Sequence, residues 1–549
     1  MILPVKRPEG GLDMTGAKAI VTSLEQEGVT TVFGYPGAAI CPVYDCLSES
    51  PICHILVRQE QNAGHAAAAY GRISGRPGVC ITTSGPGALN LLTALATAYM
   101  DSIPLVAITG QVPSDQLGRD VFQEADITGA AEPFTKHSFL VKDAEDIPRI
   151  MKEAFYLAGT GRPGPVLIDV PLDVQNRELD FAYPDGVSIR GYHPSTRANP
   201  LQLRRVTEAV AAARRPVICA GGGVFSAGAR EKMQAFAEQC RIPVVTTMMG
   251  LGLMPSSHPL YLGMLGSFGC SAANYAIHHS DLLILIGARA GDRAMRQPGV
   301  LERRTRIIHI DIDPAEIRKN MEANIPLVAD AGLVLEQLCQ SCEAADTGMW
   351  LAELKEKQGA GAVFFDRPGF VSPYRLITSL TERLDSDAVY VADVGLNQIW
   401  SARWARIKEG RFLTSGGMGT MGYALPAAMG ARLATTTRQV VAVMGDGGFQ
   451  MSMQELATLC QHDIPVKMVV FRNDCLGLVR QIQKQDYGER YEAVDLAGSP
   501  DFAALAQVYG IRTMTISEND EIDNAVQALL SDEKSFLLQC LVSPDEPAV

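Results

Sequence analysis

Two polar residues at the ends of neighbouring strand-like runs give the clearest chemical signal in the sequence. The run VVAVMGDGGF contains Gly445, Asp446 and Gly447, and Asn473 follows Asp446 at the end of the next run, VKMVVFRND. A helical stretch, MSMQELATLCQHD, lies between them. Because parallel strands end at one edge of a sheet, we expect the carboxylate and the amide to lie close together. Such oxygens suit a hard cation such as Mg²⁺, whose coordination is completed by phosphates.

The glycines of this motif let the backbone approach a diphosphate closely. A GDG tripeptide alone is also typical of an ordinary turn, so the interpretation depends on its spacing to Asn473. The whole arrangement resembles the signature of the thiamine diphosphate enzymes, a family that includes acetolactate synthase, pyruvate oxidase and pyruvate decarboxylase.

The family also needs a carboxyl group that hydrogen-bonds to the aminopyrimidine ring of its cofactor. Glu60 has the corresponding place in ILVRQEQNAGHAAAAYGRISGRPGVCITTSGPGALN, before a small-residue helix and the TSGPG turn. Outside this setting, such a glutamate would be a surface or capping residue. In the family this glutamate comes from the other subunit. The resemblance therefore implies a homodimer at minimum, and we expect a homotetramer.

The resemblance extends over nearly the whole chain and is closest to the large, catalytic subunits of acetolactate (acetohydroxyacid) synthases. It includes stretches outside the cofactor signature, such as GYPGAAICPVYD, ATAYMDSIPLVAITGQV, TKHSFLVKD and GTMGYALPAAMGA. It implies decarboxylation of pyruvate and transfer of the hydroxyethyl unit to pyruvate or 2-oxobutyrate, in branched-chain amino acid biosynthesis. Family members often bind a small regulatory subunit.

Site residues follow from this resemblance, position by position. The catalytic set is Glu60, Gln123, Lys136 and Arg293, with Phe122 facing the site. Met421 would support the bent cofactor and Gly419 would meet its aminopyrimidine ring. The other implied contacts to thiamine diphosphate are Gly37, Pro86, Asn90, Gly445, Gly447, Gly448, Cys475, Gly477 and Leu478. The implied Mg²⁺ ligands are Asp446, Asn473 and the backbone carbonyl of Cys475.

The middle of the chain resembles the family's FAD-binding domain. PVICAGGGVFSAG has a strand, a turn at Gly221, Gly222 and Gly223, and a helix start, but Ser226 breaks the G-x-G-x-x-G pattern, so alone it indicates only a possible adenosine diphosphate site. The segments GARAGDR and HIDIDP add, by resemblance, Gly287, Arg289, Asp292 and Asp311. FAD would be structural. Arg293 would receive the acceptor's carboxylate bidentately, although a surface ion pair with Asp292 is the simpler alternative.

Several departures from the family pattern predict a divergent member. Ile482 replaces a Trp that shapes acceptor preference, Leu172 replaces a Lys and Ser267 replaces a Met. Leu396–Asn397 replaces Gln-His, and the sequence ends at SPDEPAV without the family's Pro-rich tail. Two alternatives therefore stay open. One is another thiamine diphosphate-dependent 2-oxoacid decarboxylase or carboligase, and the other is a non-catalytic paralogue.

Composition limits the class of protein. The 549 residues carry a formal charge of −13, which argues against a nucleic-acid scaffold. No apolar run approaches the roughly 18 residues of a membrane span, and MILPVKRPEGGLDM lacks the features of a signal or transit peptide, so we expect a cytoplasmic protein. The scattered cysteines form no disulfide pattern. A metal role for Cys339 and Cys342 is less favoured than buried thiols.

The elements that must position these residues alternate between short Val/Ile-rich strands and helices. This pattern predicts an α/β protein of three doubly wound parallel-sheet domains. We assign residues 1–178 to a pyrimidine-binding domain, 195–345 to a central FAD-type domain and 370–549 to a diphosphate-binding domain. The predicted linkers lie near Gln175–Asn199 and Asp346–Pro373.

Overall fold

A computed structural model describes residues 12–358 and 366–548. It contains three six-stranded sheets in which every pair of neighbouring strands is parallel, together with a short antiparallel ribbon. The predicted α/β fold class with three parallel sheets is confirmed. Residues 1–11, on which the targeting prediction depends, and residues 359–365 of the second predicted linker lie outside the described residues.

The first sheet has the strand order β3-β2-β4-β5-β7-β6, and strands β1 and β8 form the separate ribbon. Its central strands are buried along their whole length, as expected for a sheet covered by helices on both faces. The strands of this domain are β1 Leu12–Thr15, β2 Thr31–Tyr35, β3 Cys53–Leu56, β4 Gly78–Thr82, β5 Leu105–Gln111, β6 His137–Leu140, β7 Pro165–Pro171 and β8 Glu178–Phe181. The helices are α1 Gly16–Gln26, α2 Cys41–Ser48, α3 Glu60–Ser74, α4 Pro86–Leu89, α5 Leu92–Met100, α6 Ile127–Ala131, α7 Ile147–Gly159 and α8 Leu172–Asn176.

The middle sheet has the order β11-β10-β9-β12-β13-β14. Its strands are β9 Pro216–Ala220, β10 Val244–Thr246, β11 Tyr261–Met264, β12 Leu282–Ile286, β13 Arg306–Asp311 and β14 Ile325–Val328. The helices are α9 Pro200–Ala212, α10 Gly222–Ser226, α11 Arg230–Cys240, α12 Ser271–His279, α13 Pro298–Glu302, α14 Ala331–Ser341 and α15 Gly348–Gln358. Helix α15 lies within the second predicted linker, and its buried Trp350 donates to the carbonyl oxygen of Pro216 at 3.2 Å.

The third sheet has the order β16-β15-β17-β18-β20-β19. Its strands are β15 Val389–Ala392, β16 Arg411–Leu413, β17 Val440–Gly445, β18 Lys467–Arg472, β19 Arg512–Ile516 and β20 Phe536–Leu541. The helices are α16 Pro373–Arg383, α17 Leu396–Trp404, α18 Ala424–Ala434, α19 Asp446–Gln450, α20 Leu456–Gln461, α21 Gly477–Asp486, α22 Phe502–Val508 and α23 Ile522–Leu529.

Short 3₁₀ turns join several of these elements. They span Ala38–Ile40, Ser114–Gln116, Glu132–Phe134, Ala144–Asp146, Met248–Gly250, Met453–Glu455 and Asn519–Glu521. No helix within residues 12–358 and 366–548 has the length and apolar content that crossing a membrane requires. All twelve cysteines are free.

Helix α3 of the first domain packs directly on helix α18 of the third domain, and one continuous core of buried residues spans both domains. The contact is close because both helices carry small residues. A Cβ atom built at Gly430 would lie 1.9 Å from the backbone carbonyl oxygen of Ala66. The two domains are therefore joined through backbone surfaces that cannot yield to a larger side chain.

We predict that Gly430→Ala destabilises the protein by about 1–3 kcal/mol through overpacking, and lowers the midpoint of thermal unfolding. In a helix without this contact, Gly→Ala would stabilise the fold by up to ~1 kcal/mol, because alanine has the higher helix propensity. At Gly430 we expect the opposite effect. Gly186→Ala is the control, because a Cβ atom at Gly186 would have no neighbour within 4 Å. An unchanged midpoint for Gly430→Ala would contradict the close helix contact.

Candidate functional site

The ends of strands β17 and β18 lie side by side at the carboxyl edge of the third sheet. Asp446 is 2% exposed, and its Oδ1 accepts a hydrogen bond from the backbone N–H of Gly447 at 2.8 Å. Its Oδ2 accepts from the N–H groups of Asn473 and Asp474, at 3.0 and 2.7 Å. These hydrogen bonds fix the Asp446 carboxylate against the backbone that follows strand β18.

The environment of Asp446 suits a cation. Burial raises the pKa of this carboxyl to about 6, against the lowering effect of its three backbone donors. Within the described residues no three His, Cys, Asp or Glu side chains are grouped to hold a metal ion. A cation here would therefore depend on one carboxylate, the Asn473 amide and a backbone carbonyl, which is a donor set of hard oxygens.

The glycines around Asp446 have no room for a side chain. A Cβ atom at Gly447 would lie 2.9 Å from Cδ2 of Leu476 and 3.2 Å from Cε of Met421. A Cβ atom at Gly477 would lie 2.8 Å from Nδ2 of Asn473. A side chain at either position would clash with its neighbours, so the chain backbone itself is presented beside Met421, which fits a diphosphate. We call Gly445, Gly447, Gly448 and Gly477 the glycine cradle.

Asp393, a residue that the sequence reasoning did not select, fixes the turn that follows Met421. It is fully buried at the end of strand β15 and accepts hydrogen bonds from the N–H groups of Gly422 and Ala424, at 3.0 and 2.8 Å. A Cβ atom at Gly448 would lie 2.6 Å from its Oδ1. The only signal in the sequence was an aspartate at the end of the run AVYVAD, which is common in α/β folds.

Asn397, one of the departures from the family pattern, has a definite place at this edge. Its Nδ2 donates to the backbone carbonyl oxygens of Asp393 and Val443, at 2.8 and 3.2 Å. Its Oδ1 lies 3.3 Å from the position of a Cβ atom at Gly445. The amide therefore braces two strand ends while its oxygen faces the glycine cradle.

A second cluster lies at the carboxyl edge of the first sheet. Glu60 begins helix α3, and its Oε2 accepts a hydrogen bond from Nδ2 of Asn90 at 2.9 Å. A Cβ atom at Gly37 would lie 2.5 Å from Cβ of Thr83, whose buried hydroxyl has no hydrogen-bond partner in the described residues. Pro86 begins α4, and a Cβ atom at the next residue, Gly87, would lie 3.3 Å from Oε1 of Glu60. Gly37, Glu60, Pro86 and Asn90 therefore lie around one point.

The Phe122–Gln123 segment lies beside this cluster. Gln123 has a positive φ of 57°, and a Cβ atom at Gly85 would lie 2.8 Å from its carbonyl oxygen. Gln111 holds the segment by donating from Nε2 to the carbonyl oxygen of Ala125 at 2.8 Å. Phe122 is 87% exposed, so this predicted site residue projects away from the described chain.

Lys136 has a different setting from the other predicted catalytic residues. Its ammonium group donates to the carbonyl oxygens of Leu157 and Thr160 and to the hydroxyl of Tyr192. Burial lowers the pKa of Lys136 to about 8. These three acceptors take all three N–H groups of the ammonium. The structure therefore places the Lys136 charge at the end of α7 and not beside Glu60.

A cavity of about 1150 Å³ lies where the three domains meet. The predicted residues that line it are Gly222, Gly223, Gly287, Arg289, Asp292, Arg293 and Asp311. Gly221 lies behind them, because a Cβ atom there would be 2.3 Å from the carbonyl oxygen of Gly287. Burial raises the pKa of Asp311, at the end of strand β13, to about 6. The Arg293 side chain is 84% exposed, and its Nε lies 3.8 Å from Oδ2 of Asp292.

Sequence reasoning missed the first-domain wall of this cavity. Arg162 donates from Nη1 to Asp313 and Glu316 of the middle domain, at 3.2 and 2.6 Å, and from Nε to Ser102 at 2.8 Å. Its ion pairs join the first and middle domains at the wall of the cavity. The local sequence GRPGP gives no signal for these partners, which lie 151 and 154 residues further along the chain.

The Glu60 and Asp446 clusters have no direct polar link in the part of the chain that the structure describes. No hydrogen bond or ion pair joins Glu60 to Asp446 or Asn473 in the described residues. Instead the buried Glu455 of the third domain accepts from the N–H of Arg58 at 2.9 Å and from Nδ2 of Asn62 at 2.8 Å. It thereby holds the residues two positions before and two positions after Glu60, and sequence reasoning missed it as well.

The fold and the site are those of a thiamine diphosphate enzyme. Residues 14–130 match the thiamine pyrophosphate enzyme N-terminal TPP-binding domain, 203–338 the central domain and 393–540 the C-terminal TPP-binding domain. The chain is 46% identical to the "Probable acetolactate synthase large subunit" of Methanocaldococcus jannaschii, over 97% of this chain and 93% of that protein.

It is also 46% identical to the "Acetolactate synthase large subunit" of Corynebacterium glutamicum, over 97% of this chain and 87% of that protein. Identity to the "Acetolactate synthase" of Arthrospira platensis is 42%, over 97% and 95% of the two chains. The chain therefore belongs to the acetolactate synthase family of thiamine diphosphate-dependent enzymes, as the sequence motifs predict.

We predict that Glu455→Gln destabilises the protein by about 1–3 kcal/mol, because the new amide places a donor among groups that are already donors. Besides Arg58 and Asn62, the hydroxyl of Thr458 donates to this carboxylate at 2.6 Å. The measurement is the midpoint of thermal unfolding, with the exposed Glu343→Gln as the matched control. Equal midpoints for the two variants would contradict the bracing role of Glu455.

Proposed function

We propose that this chain is the catalytic subunit of an acetolactate synthase. It decarboxylates pyruvate and transfers the hydroxyethyl unit to a second pyruvate or to 2-oxobutyrate, as a step of branched-chain amino acid biosynthesis. The observation that carries the proposal is the pair of clusters at the carboxyl edges of the first and third sheets, around Glu60 and Asp446. The cytoplasmic location stays a prediction from the sequence.

Thiamine diphosphate supplies an electron sink for the decarboxylation when it is bound. On the protein side, Asp446, Asn473 and the carbonyl of Cys475 would hold Mg²⁺. The cradle of Gly445, Gly447, Gly448, Gly477 and Leu478 would take the diphosphate. The supporting observations are the buried Asp446 carboxylate and the missing space for side chains at Gly447 and Gly477. Gly419 and Met421 would meet the aminopyrimidine end.

Glu60 would share a proton, through Oε1, with the aminopyrimidine ring. Asn90 occupies Oε2 and thereby fixes the orientation of the carboxylate. Gly37, Pro86 and the neighbouring Thr83 would form the surrounding wall. Because Glu60 and Asp446 do not contact each other within the described chain, we propose that each site combines the Glu60 cluster of one chain with the Asp446 cluster of another. The assembly would be a homodimer at minimum and a homotetramer in full.

The large cavity would hold FAD in a structural role. A volume of about 1150 Å³, close glycine backbones and a strand-end carboxylate at Asp311 fit a dinucleotide. The exposed Arg293 fork would receive the carboxylate of the acceptor 2-oxoacid, and the Gln123 segment would close the site from the first domain. A small regulatory subunit is a further proposal, supported by the "large subunit" names of two relatives.

A second candidate function is decarboxylation or carboligation of a different 2-oxoacid. Ile482, on helix α21, is 43% exposed and offers an aliphatic surface where the family has a Trp. Leu172 likewise begins helix α8 without the charge of the family's Lys. Both changes alter the size or charge of the region that would select the acceptor.

The test is turnover of pyruvate by the wild-type protein with thiamine diphosphate and Mg²⁺, measuring acetolactate, acetaldehyde and CO₂. We expect acetolactate and CO₂ in equal amounts. Glu60→Gln should lower the rate by about 10²–10⁴, because a positioned proton-transfer group is lost, while folding is retained. Glu178→Gln, an exposed change in the same domain, is the control.

Each other outcome overturns a defined part of the proposal. A near-wild-type rate for Glu60→Gln would remove the role assigned to that residue. Acetaldehyde and CO₂ without acetolactate would favour the second candidate. Tight cofactor binding without turnover of any 2-oxoacid would favour a non-catalytic paralogue.

A further inference from the structure

One segment of the third domain borders both proposed cofactor sites. We call residues Thr414–Tyr423 the bridging segment; it runs from the end of strand β16 to the start of helix α18. Its residues Gly416 and Gly417 line the large cavity. Gly419 and Met421, a few residues further on, are the proposed contacts of the aminopyrimidine ring. A displacement of the bridging segment would therefore change the geometry of both proposed cofactor sites.

Asp101 of the first domain fixes the cavity end of the bridging segment. It follows helix α5 and lines the cavity itself. Its Oδ2 accepts from the N–H of Gly416 at 3.0 Å, and its Oδ1 from the N–H of Gly417 at 2.7 Å. Each carboxylate oxygen is thus used, and an isosteric amide could accept only one of these two hydrogen bonds.

Two other first-domain residues, Arg72 and Thr97, also hold the bridging segment. Arg72 donates to the carbonyl oxygen of Thr414 at 3.1 Å and to the hydroxyl of Tyr423 at 3.3 Å. The hydroxyls of Thr97 and Thr420 lie 2.8 Å apart. These contacts hold both ends and the middle of the segment. Of the three first-domain residues Arg72, Thr97 and Asp101, it is Asp101 that also lines the cavity.

Arg289 of the middle domain approaches the same point from the opposite side. A Cβ atom at Gly417 would lie 2.9 Å from Oδ1 of Asp101 and 3.1 Å from Nη2 of Arg289. Arg289 and Arg72 both favour the charged form of the Asp101 carboxyl, whose pKa burial raises. A carboxylate, a glycine backbone and a guanidinium from three domains therefore meet at one place on the cavity wall.

We propose that Asp101 is a positioning residue that couples the two sites. A dinucleotide in the cavity contacts the Asp101–Arg289 wall and stabilises the bridging segment in the conformation that thiamine diphosphate requires. The two ligands then bind with positive cooperativity, and linkage requires the same factor in both directions. This inference rests on the proposed flavin site.

The test is calorimetric titration of the cofactor-free protein with thiamine diphosphate and Mg²⁺, with and without saturating FAD. In the wild type we expect FAD to tighten thiamine diphosphate binding by at least about 5-fold, the lower end of typical coupling. The reverse titration should give an equal factor. In Asp101→Asn the factor should fall to about 1, although each ligand alone still binds.

Asp281→Asn is the matched control. Asp281 also accepts two backbone hydrogen bonds, from Arg214 and Arg215 at 2.8 and 2.9 Å, but it lies on the exposed surface of the middle domain. This variant should keep the wild-type coupling factor. Asp101→Glu, which retains the charge, should recover more of the coupling than Asp101→Asn does.

A wild-type measurement keeps the proposal falsifiable if Asp101→Asn fails to fold. FAD alone should slow hydrogen exchange in peptides that cover residues 414–423, and unchanged exchange there would overturn the inference. The inference would also be overturned if FAD changed thiamine diphosphate affinity by a factor of about 1 in the wild type, or if Asp101→Asn kept the full wild-type factor. If FAD binds without coupling, the flavin proposal stands and the inference fails; if FAD does not bind, both fail.

Discussion

The contact between helices α3 and α18 is the constraint on which the arrangement of the sites depends. Gly430 lies against the backbone of Ala66, so the first and third domains meet without intervening side chains. The contact places the start of α3, with Glu60, against Glu455. No hydrogen bond or ion pair joins Glu60 to Asp446 within the described residues, and the proposal therefore builds each active site from two chains.

Buried or half-buried carboxylates held by backbone N–H groups recur at the points that matter for the proposed chemistry. Asp446, Asp393 and Asp101 each accept two or three such bonds, and each marks a loop that the proposal assigns to a cofactor. Hydrogen bonds to a charged acceptor are stronger than neutral ones, which makes these loops rigid. An acidic protein can therefore have sites suited to anionic ligands, because glycine backbones and the side chains of Arg289 and Arg293 line the proposed flavin cavity.

Much of this fold could be predicted from local sequence. The runs that end at Gly445 and Asn473 have the length, the burial and the turn residues of parallel strands, and both are strands. Helix α15 was not predicted, because its charged LKEK stretch hides the buried Trp350 and Leu354, which pack against the middle sheet. The local sequence pattern identified the strand ends, but it could not identify the residues of other elements that pack against them.

Residues that join domains could not be predicted for the same reason. Glu455, Arg162 and Asp101 contact partners that are 151 to 397 positions away in the chain, and no short-range pattern records such a pairing. The prediction for Lys136 came from resemblance alone, and the contacts of its ammonium group follow from a tertiary neighbour, Tyr192. Motifs at strand ends locate candidate sites, whereas the groups that position them become visible only in three dimensions.

The claim that one site is built from two chains is tested most directly by complementation. Chains carrying Glu60→Gln and chains carrying Asp446→Ala, each inactive alone, would be mixed after dissociation and allowed to reassociate. If sites form across chains, half of the dimers are mixed and each contains one intact site, so about a quarter of the wild-type acetolactate production should return. If no activity returns although mixed dimers form, the site lies within one chain and the account is wrong.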